Sequence, residues 1–483
     1  MPSRTQSPER WWQCYRDILH ILKLFGLSFE TLNPICNYLE SALIKTYFTV
    51  NTLNMEPATT IDSPMPVQPN ERIQVLDVLR GIAILGMLVA HFDGHGTKES
   101  ELNLIIGRGE ELFIESRFYT LFAILFGAGF AIQLSRANNR NGSFVIRFLR
   151  RMFTLACFGF ILWIAFGANI IYTYAICGLL LIPLRNWSTK ALIITLFICA
   201  MLTPLSRITF ATSYKALYGL EQFKTYSRQQ GETERTLWFE QQNRNNIVNN
   251  TTNFITALKA RTENFIAGQP NSINKLIGLL SDAFMLVLIG FIAFRLKLFE
   301  KPGEYRRLII SLMIFGILFW ALTNWALPFF PMTPKISYPN VPFLVQGILF
   351  YLSKGFGLVR DYWLTFTYAG AVLLLISYNP IKWLNRFKFF TWPGRMALTN
   401  FILQTMLLDI LFSKYAIELP KIPEVIVVFV FAPSLFIVLT LFSRWWLNRF
   451  QYGPLEWIWR CVTYWKKQPL RIKPNKITEQ ENL

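Results

Sequence analysis

LDVLRGIAILGMLVAHF, residues 76–92, decides how this sequence is read. It is an apolar run long enough to approach a membrane span, yet it carries Asp77, Arg80 and His91. Charged groups are costly inside a span and turn toward a polar cavity or the interior of a helix bundle. Arg80 and His91 are 11 residues apart. In an α-helix that is three turns plus about 20°, so both point to nearly the same side, separated by about 16 Å along the axis. Asp77, three residues before Arg80, shares that side and can pair with it. Position alone leaves two readings open. One is a polar functional face. The other is an arginine that snorkels to one interface and a histidine that ends the helix at the other.

Outward from this stretch the chain is apolar in blocks. The 483 residues are 53% hydrophobic and 16% charged, with a mean hydropathy of +0.33 and a formal net charge of +19. A soluble domain carries about 25% charged residues. Disorder, a disulfide scaffold and an ordinary cytosolic enzyme are excluded, and an all-α polytopic membrane protein is expected. The blocks fall near 75–92, 118–134, 152–166, 168–184, 191–206, 274–294, 308–327, 342–358, 360–378, 396–413 and 424–442. The six cysteines form no CxxC pair and suit helix packing.

Lys and Arg lie between the blocks rather than in one patch, and no nucleic-acid-binding motif appears, so nucleic acid is not an expected partner. The positive-inside rule explains the excess instead. Segment 93–117 has three basic and six acidic residues, whereas 135–151 has five basic and none acidic. Segment 295–307 has five basic residues, 379–395 has four, and the tail from Ser443 has eight. Both termini are therefore expected in the cytoplasm, with the polar segment 207–273 outside, partly helical and large enough to cap the bundle. This requires 342–378 to cross once, with a broken or re-entrant piece, giving about ten crossings. Eleven clean spans with a violated charge rule is the alternative. Five regions result: an N-terminal extension and linker (1–70), a helical half (72–206), the polar segment (207–273), a second helical half (274–465) and a basic tail (466–483). The extension has an amphipathic stretch around Trp11, Trp12, Leu19 and Phe25, no recognisable signal peptide, and a Pro-rich linker. Met55, just before the linker, is an alternative start.

The spacing of Arg80 and His91 resembles the first-helix motif of membrane acyltransferases of the acyltransferase-three type, which transfer acyl groups to sugars and other acceptors. A related lysosomal family acetylates heparan glucosamine from acetyl-CoA. Resemblance to the bacterial YeiB-like family, whose C-terminal half is a domain of unknown function, is closer. It rests on RIQVLDVLRGIAILGML (72–88), FYTLFAILFGAGFAIQL (118–134), NIIYTYAICGLLLIP (169–183), PGRMALTNFILQTML (393–407) and RFQYGPLEWIWRCVTY (449–464). Asn169 stands where the family's third stretch usually opens with Asp.

The resemblance implies a protein of the bacterial inner membrane that moves an acyl group from cytoplasmic acyl-CoA, a co-substrate rather than a resident cofactor, to a small-molecule or glycan acceptor outside. His91 would act as base or transient acyl carrier. Arg80 would engage a donor phosphate, with Asp77 holding it. Arg147, Arg150 and Arg151 either set topology or form a landing site for the same phosphates. Glu115 and Arg117 either flank a cavity or form an interfacial pair. Arg395, Asn400 and Gln404, with Asn169, are cavity-lining candidates, and the two amides also suit helix–helix hydrogen bonding. Asp282 and Asp409 are intramembrane carboxylates without an identifiable partner, ranked behind Arg80 and His91. His91, Asp93 and His95 are ligand-type residues, but Gly94 and Gly96 make the segment a helix-ending loop, and no metal is expected. The FGAGF run (126–130) reads as close helix packing. A transporter with Arg80, His91, Asp282 and Asp409 along its pathway is the competing function.

Overall fold

The structure is a computed structural model that describes residues 73–92, 96–97, 99–138, 144–168, 170–268, 278, 280–326 and 362–472. The extension 1–70, Asp93, His95, Asn169 and the expected broken piece before Tyr362 lie outside the described residues, so those readings have no structural counterpart here. All described residues belong to one compact unit, Gln68–Leu483.

The architecture is helical. In chain order the helices are α1 (Gln74–Ala90), α2 (Glu101–Phe113), α3 (Arg117–Asn138), α4 (Phe144–Phe166), α5 (Ile170–Leu184), α6 (Thr189–Asn250) and α7 (Phe254–Gly268). A π turn, Leu280–Phe284, leads into α8 (Met285–Arg295), followed by α9 (Arg306–Ala326) and α10 (Tyr362–Tyr378). Then come α11 (Pro380–Arg386), α12 (Lys388–Arg395), α13 (Ala397–Phe412), α14 (Glu424–Leu447, with a π turn at Val427–Phe431) and α15 (Pro454–Tyr464). Two dipeptides, Gly96–Thr97 and Ile422–Pro423, pair in parallel.

Among the described residues three helical segments are long and apolar enough to cross a membrane: Glu101–Ser135, Val145–Phe166 and Glu424–Leu447. A fourth results if α12 and α13, bent by 83° at Met396, form one span. Outward faces are apolar: Phe153 and Ile161 on α4, and Phe429, Val438 and Leu441 on α14, are exposed. Exposed apolar surface on this scale marks contact with lipid or a partner. The class is that of a helical membrane protein.

One expectation about loops changes and another is extended. The acidic segment 93–117 contains a helix, α2, started by Ser100, whose hydroxyl accepts the Asn103 amide. Its polarity is partly inverted, because Asn103, Gly107 and Glu110 face inward while Leu102, Leu104 and Ile105 are exposed. Glu101, Arg108 and Glu111 are exposed among them, and so mixed a pattern escapes a search for a soluble amphipathic helix. The polar segment from 207, expected to be partly helical, is helical over almost all its described length, through the rest of α6 and α7. In α6 the helix breaks at Gly219, where φ is +84°, a conformation glycine adopts without steric cost.

The core depends on close backbone approaches. A Cβ on Gly81 would lie 1.9 Å from the Phe390 carbonyl oxygen, and one on Gly394 would lie 1.8 Å from that of Asp77. Helices α1 and α12 therefore touch backbone to backbone. Gly127, within the FGAGF run, meets Val287 O in the same way, and Gly290 meets Ile124 O, which joins α3 to α8. The packing reading of that run holds.

Gly81→Ala or Gly394→Ala is expected to destabilise by about 1–3 kcal/mol or more, because rigid backbone must move. Gly109→Ala, with nothing within 4 Å of the added carbon, should be neutral or stabilising by about 0.5–1 kcal/mol. Thermal unfolding of the detergent-purified variants checks the contrast.

Candidate functional site

The C-terminal end of α1 delivers His91 to the wall of a cavity of about 440 Å³. Tyr119 of α3 lines the same cavity, as do Phe401, Thr405, Leu408 and Asp409 of α13 and the α4–α5 turn around Gly167. The His91 ring lies 5.8 Å from Tyr119 and 5.4 Å, edge-on, from Phe401. Gln404, fully buried, places its amide nitrogen 3.3 Å from His91 Nδ1, while its Oε1 has no hydrogen-bond partner among the described residues. Two amide orientations exchange roles. In one, N–H donates to a bare Nδ1. In the other, Oε1 accepts a proton-bearing Nδ1, and Nε2 of His91 keeps its lone pair. Of the two amides singled out as cavity-lining candidates, Gln404 is the one that reaches His91.

At the other end of α1, Asp77 and Arg80 form the expected pair, Nη1 to Oδ1 at 3.0 Å. The guanidinium packs near Gly129, where an added Cβ would make an ordinary contact of 3.6 Å with Nη2. Arg151 on α4 stands within electrostatic range of both Arg80 and Arg460. Its guanidinium lies 3.5 Å over the Trp459 ring, and the Trp459 indole donates to the Arg151 carbonyl. Arg150 covers Trp465 at 5.6 Å, and Arg460 covers Tyr452 at 4.3 Å. Arg80, Arg151 and Arg460 converge here, and aromatic faces cover Arg150, Arg151 and Arg460. Arg460 is a member that the sequence reading missed. The Gly-Pro-Leu-Glu-Trp signature just before it is the signal that places α15 here. Arg147 lies on α4 one turn before Arg151 and is half-buried.

Other candidates go elsewhere. Asn400 is fully buried and donates to Pro393 O at 3.2 Å and Ser443 Oγ at 2.9 Å, so it ties α13 to α14 and is absent from the cavity wall. Arg117 is buried and donates to the carbonyls of Glu111 and Glu115. It and Glu115 shape the turn into α3, where Ser116 has φ of +61°, rather than the His91 cavity. Arg395 ends α12 at the bend. Asp282 sits in the π turn before α8, exposed. Among the described residues no group of three or more His, Cys, Asp or Glu is placed to hold a metal.

Asp409 is the clearest correction, because it has partners. Arg261 of α7, 148 residues away in sequence, donates from Nη2 to Oδ1 at 2.5 Å. Ser413 donates to the same oxygen at 3.1 Å, and Tyr415 donates to Oδ2. Arg261 also donates to Ala165 O and to Tyr415. Both members of the ion pair are at most 10% exposed at their side chains.

Glu456 holds the bend from the other side. Its carboxylate accepts the Thr399 amide at 3.0 Å and the Thr399 hydroxyl at 2.5 Å, capping the first turn of α13. Burial pushes the Glu456 carboxyl above its ordinary range, and the Thr399 hydrogen bonds oppose that shift.

Residues 293–466 match the model of a protein family of unknown function, DUF418, and residues 72–229 match the catalytic region of heparan-alpha-glucosaminide N-acetyltransferase. An uncharacterized 39.9 kDa protein from the amylase 3' region of Bacillus acidopullulyticus is 26% identical, over 84% of this chain and 98% of that protein. The uncharacterized YxaH of Bacillus subtilis is 26% identical, over 86% and 99%. The uncharacterized YeiB of Escherichia coli is 26% identical, over 81% and 96%. The chain is thus YeiB-like over most of its length, and its C-terminal part resembles the DUF418 family. No solved structure matches it. The N-terminal match is to an acyltransferase catalytic region, and it spans Arg80 and His91; the C-terminal match spans Gln404, Asp409 and Glu456. Both ends of the YeiB-like site thus draw on both halves of the chain.

Removing one partner of a buried ion pair leaves the other uncompensated, at a cost of about 3–5 kcal/mol. Asp409→Ala and Arg261→Ala should each show this in thermal unfolding, and Arg261→Met/Asp409→Leu should recover most of it. A loss in the double variant equal to the sum of the two single losses would mean that the pair does not act as a unit.

Proposed function

We propose that this YeiB-like chain is an integral membrane acyltransferase of about ten crossings in the bacterial cytoplasmic membrane, with both termini inside. The observation that carries the proposal is the placement of His91. It opens onto a cavity beside Gln404, while Arg80, on the same helix, joins a guanidinium group at the opposite end. One helix of about 26 Å then serves two compartments. An acyl-CoA donor rests its phosphates near Arg80, Arg150 and Arg151, with Arg460 added to that group. The acceptor enters the His91 cavity from the other side.

In the chemical step the acceptor oxygen or amine attacks the thioester carbonyl, and its proton passes to His91 Nε2. The C–S bond breaks, and the coenzyme A thiolate leaves and takes up a proton. Gln404 Oε1, accepting Nδ1–H, keeps Nε2 basic and steadies the imidazolium that forms. Asp77 fixes the Arg80 rotamer.

The test is coenzyme A release from acetyl-CoA by the purified protein in proteoliposomes, followed with a thiol reagent. His91→Ala should lower turnover at least a hundredfold, as expected for loss of a general base. Arg80→Lys should raise the acyl-CoA KM more than it lowers kcat, because the guanidinium fork is lost and the charge kept. A wild-type protein that neither binds nor turns over acetyl-CoA, but changes uptake of a solute, would transfer the assignment to a transporter.

A further inference from the structure

Asp409 lines the His91 cavity with a charge that is already answered. An ionised carboxylate offers about four acceptor positions on its two oxygens. Oδ1 takes two donors, Arg261 Nη2 and Ser413 Oγ, and Oδ2 takes one, the Tyr415 hydroxyl. Among the described residues nothing takes the remaining position on Oδ2. The guanidinium and the phenol compensate the charge, so a cation gains little by replacing them, whereas a neutral O–H donor completes the set.

Position along α13 gives the distance. Phe401, Thr405 and Asp409 follow one another at four-residue intervals and face the cavity together. Gln404, at His91, lies five residues before Asp409, about 7.5 Å along the axis. Phe401, Leu408 and Phe166 line the same cavity, with Tyr119 beside His91 and Thr405 between, the Thr405 hydroxyl donating to the Phe401 carbonyl. A ligand that places its nucleophile at His91 therefore meets the carboxylate acceptor farther along α13. We infer that Asp409, held by Arg261 and Tyr415, is the specificity-determining residue for the acceptor, and that it selects an uncharged acceptor carrying more than one hydroxyl group. One hydroxyl is positioned at His91 for attack and another donates to Asp409 Oδ2. This rests on the acyl-transfer reading of the same cavity.

The probe is a pair of alcohols, glycerol and 1-propanol, offered with acetyl-CoA to the full-length protein in proteoliposomes, with ester formation measured by mass spectrometry. Wild type should prefer glycerol in kcat/KM by at least tenfold. Asp409→Asn should reduce that ratio at least tenfold, and so should Arg261→Gln/Asp409→Asn, a neutral pair that avoids a stranded buried charge. A ratio that stays constant while both activities fall would overturn the inference and leave acyl transfer standing. If wild type forms no more ester than His91→Ala with either alcohol, the transfer reading fails and this inference falls with it.

Discussion

The contact of α1 with α12 at Gly81 and Gly394 is the constraint on which the rest depends. With Cβ atoms excluded on both sides, the two backbones meet directly, and the segment after Gly394 must turn away. It does so by 83° at Met396, and α13 then runs toward the end of α1 that carries His91. A sharp bend frees backbone groups that must find partners. Asn400 donates to Pro393 O across the bend, and the Glu456 carboxylate accepts the Thr399 amide at the start of α13. An acidic group at a helix N-terminus is also favoured by the helix dipole. Glycines, bend, amide and carboxylate are thus one device, and its product is the seating of Gln404 against His91.

The same device separates two chemistries. Guanidinium groups from α1, α4 and α15 gather beside aromatic faces at the Arg80 end, and a mixed polar and apolar cavity surrounds His91 at the other. Because Asp77 and the stacked rings engage these cations only in part, their mutual repulsion favours an anion there. At the His91 end the charges cancel within the site through Arg261 and Asp409. One helix thus carries a site of net positive charge at one end and a site whose buried charges cancel at the other.

Much of this was legible in the sequence because it is local or periodic. The common face of Asp77, Arg80 and His91 follows from helical spacing, and Gln404 was picked out as a polar group in an apolar run. Asn400 was picked out for the same reason, but spacing could not tell a lining amide from one that joins helices, since only the neighbour differs: Ser443 for one, His91 for the other. Arg261 could not be read. It lies in a polar segment where arginine is unremarkable, and its partner is 148 residues on. Helix α2 was missed for a physical reason, because its inward face is polar and its outward face mixes apolar and charged residues.

Burial bears on Arg261 and Asp409 as well. In water a charged pair is paid for by desolvation and returns little, so a buried one is weak evidence of stability. Here both side chains are at most 10% exposed, and the Ser413 and Tyr415 hydroxyls add hydrogen bonds to the ion pair, so Asp409 meets the His91 cavity with three donors already on its oxygens. Asp409 thus combines a buried cation partner with a place in the wall of the His91 cavity.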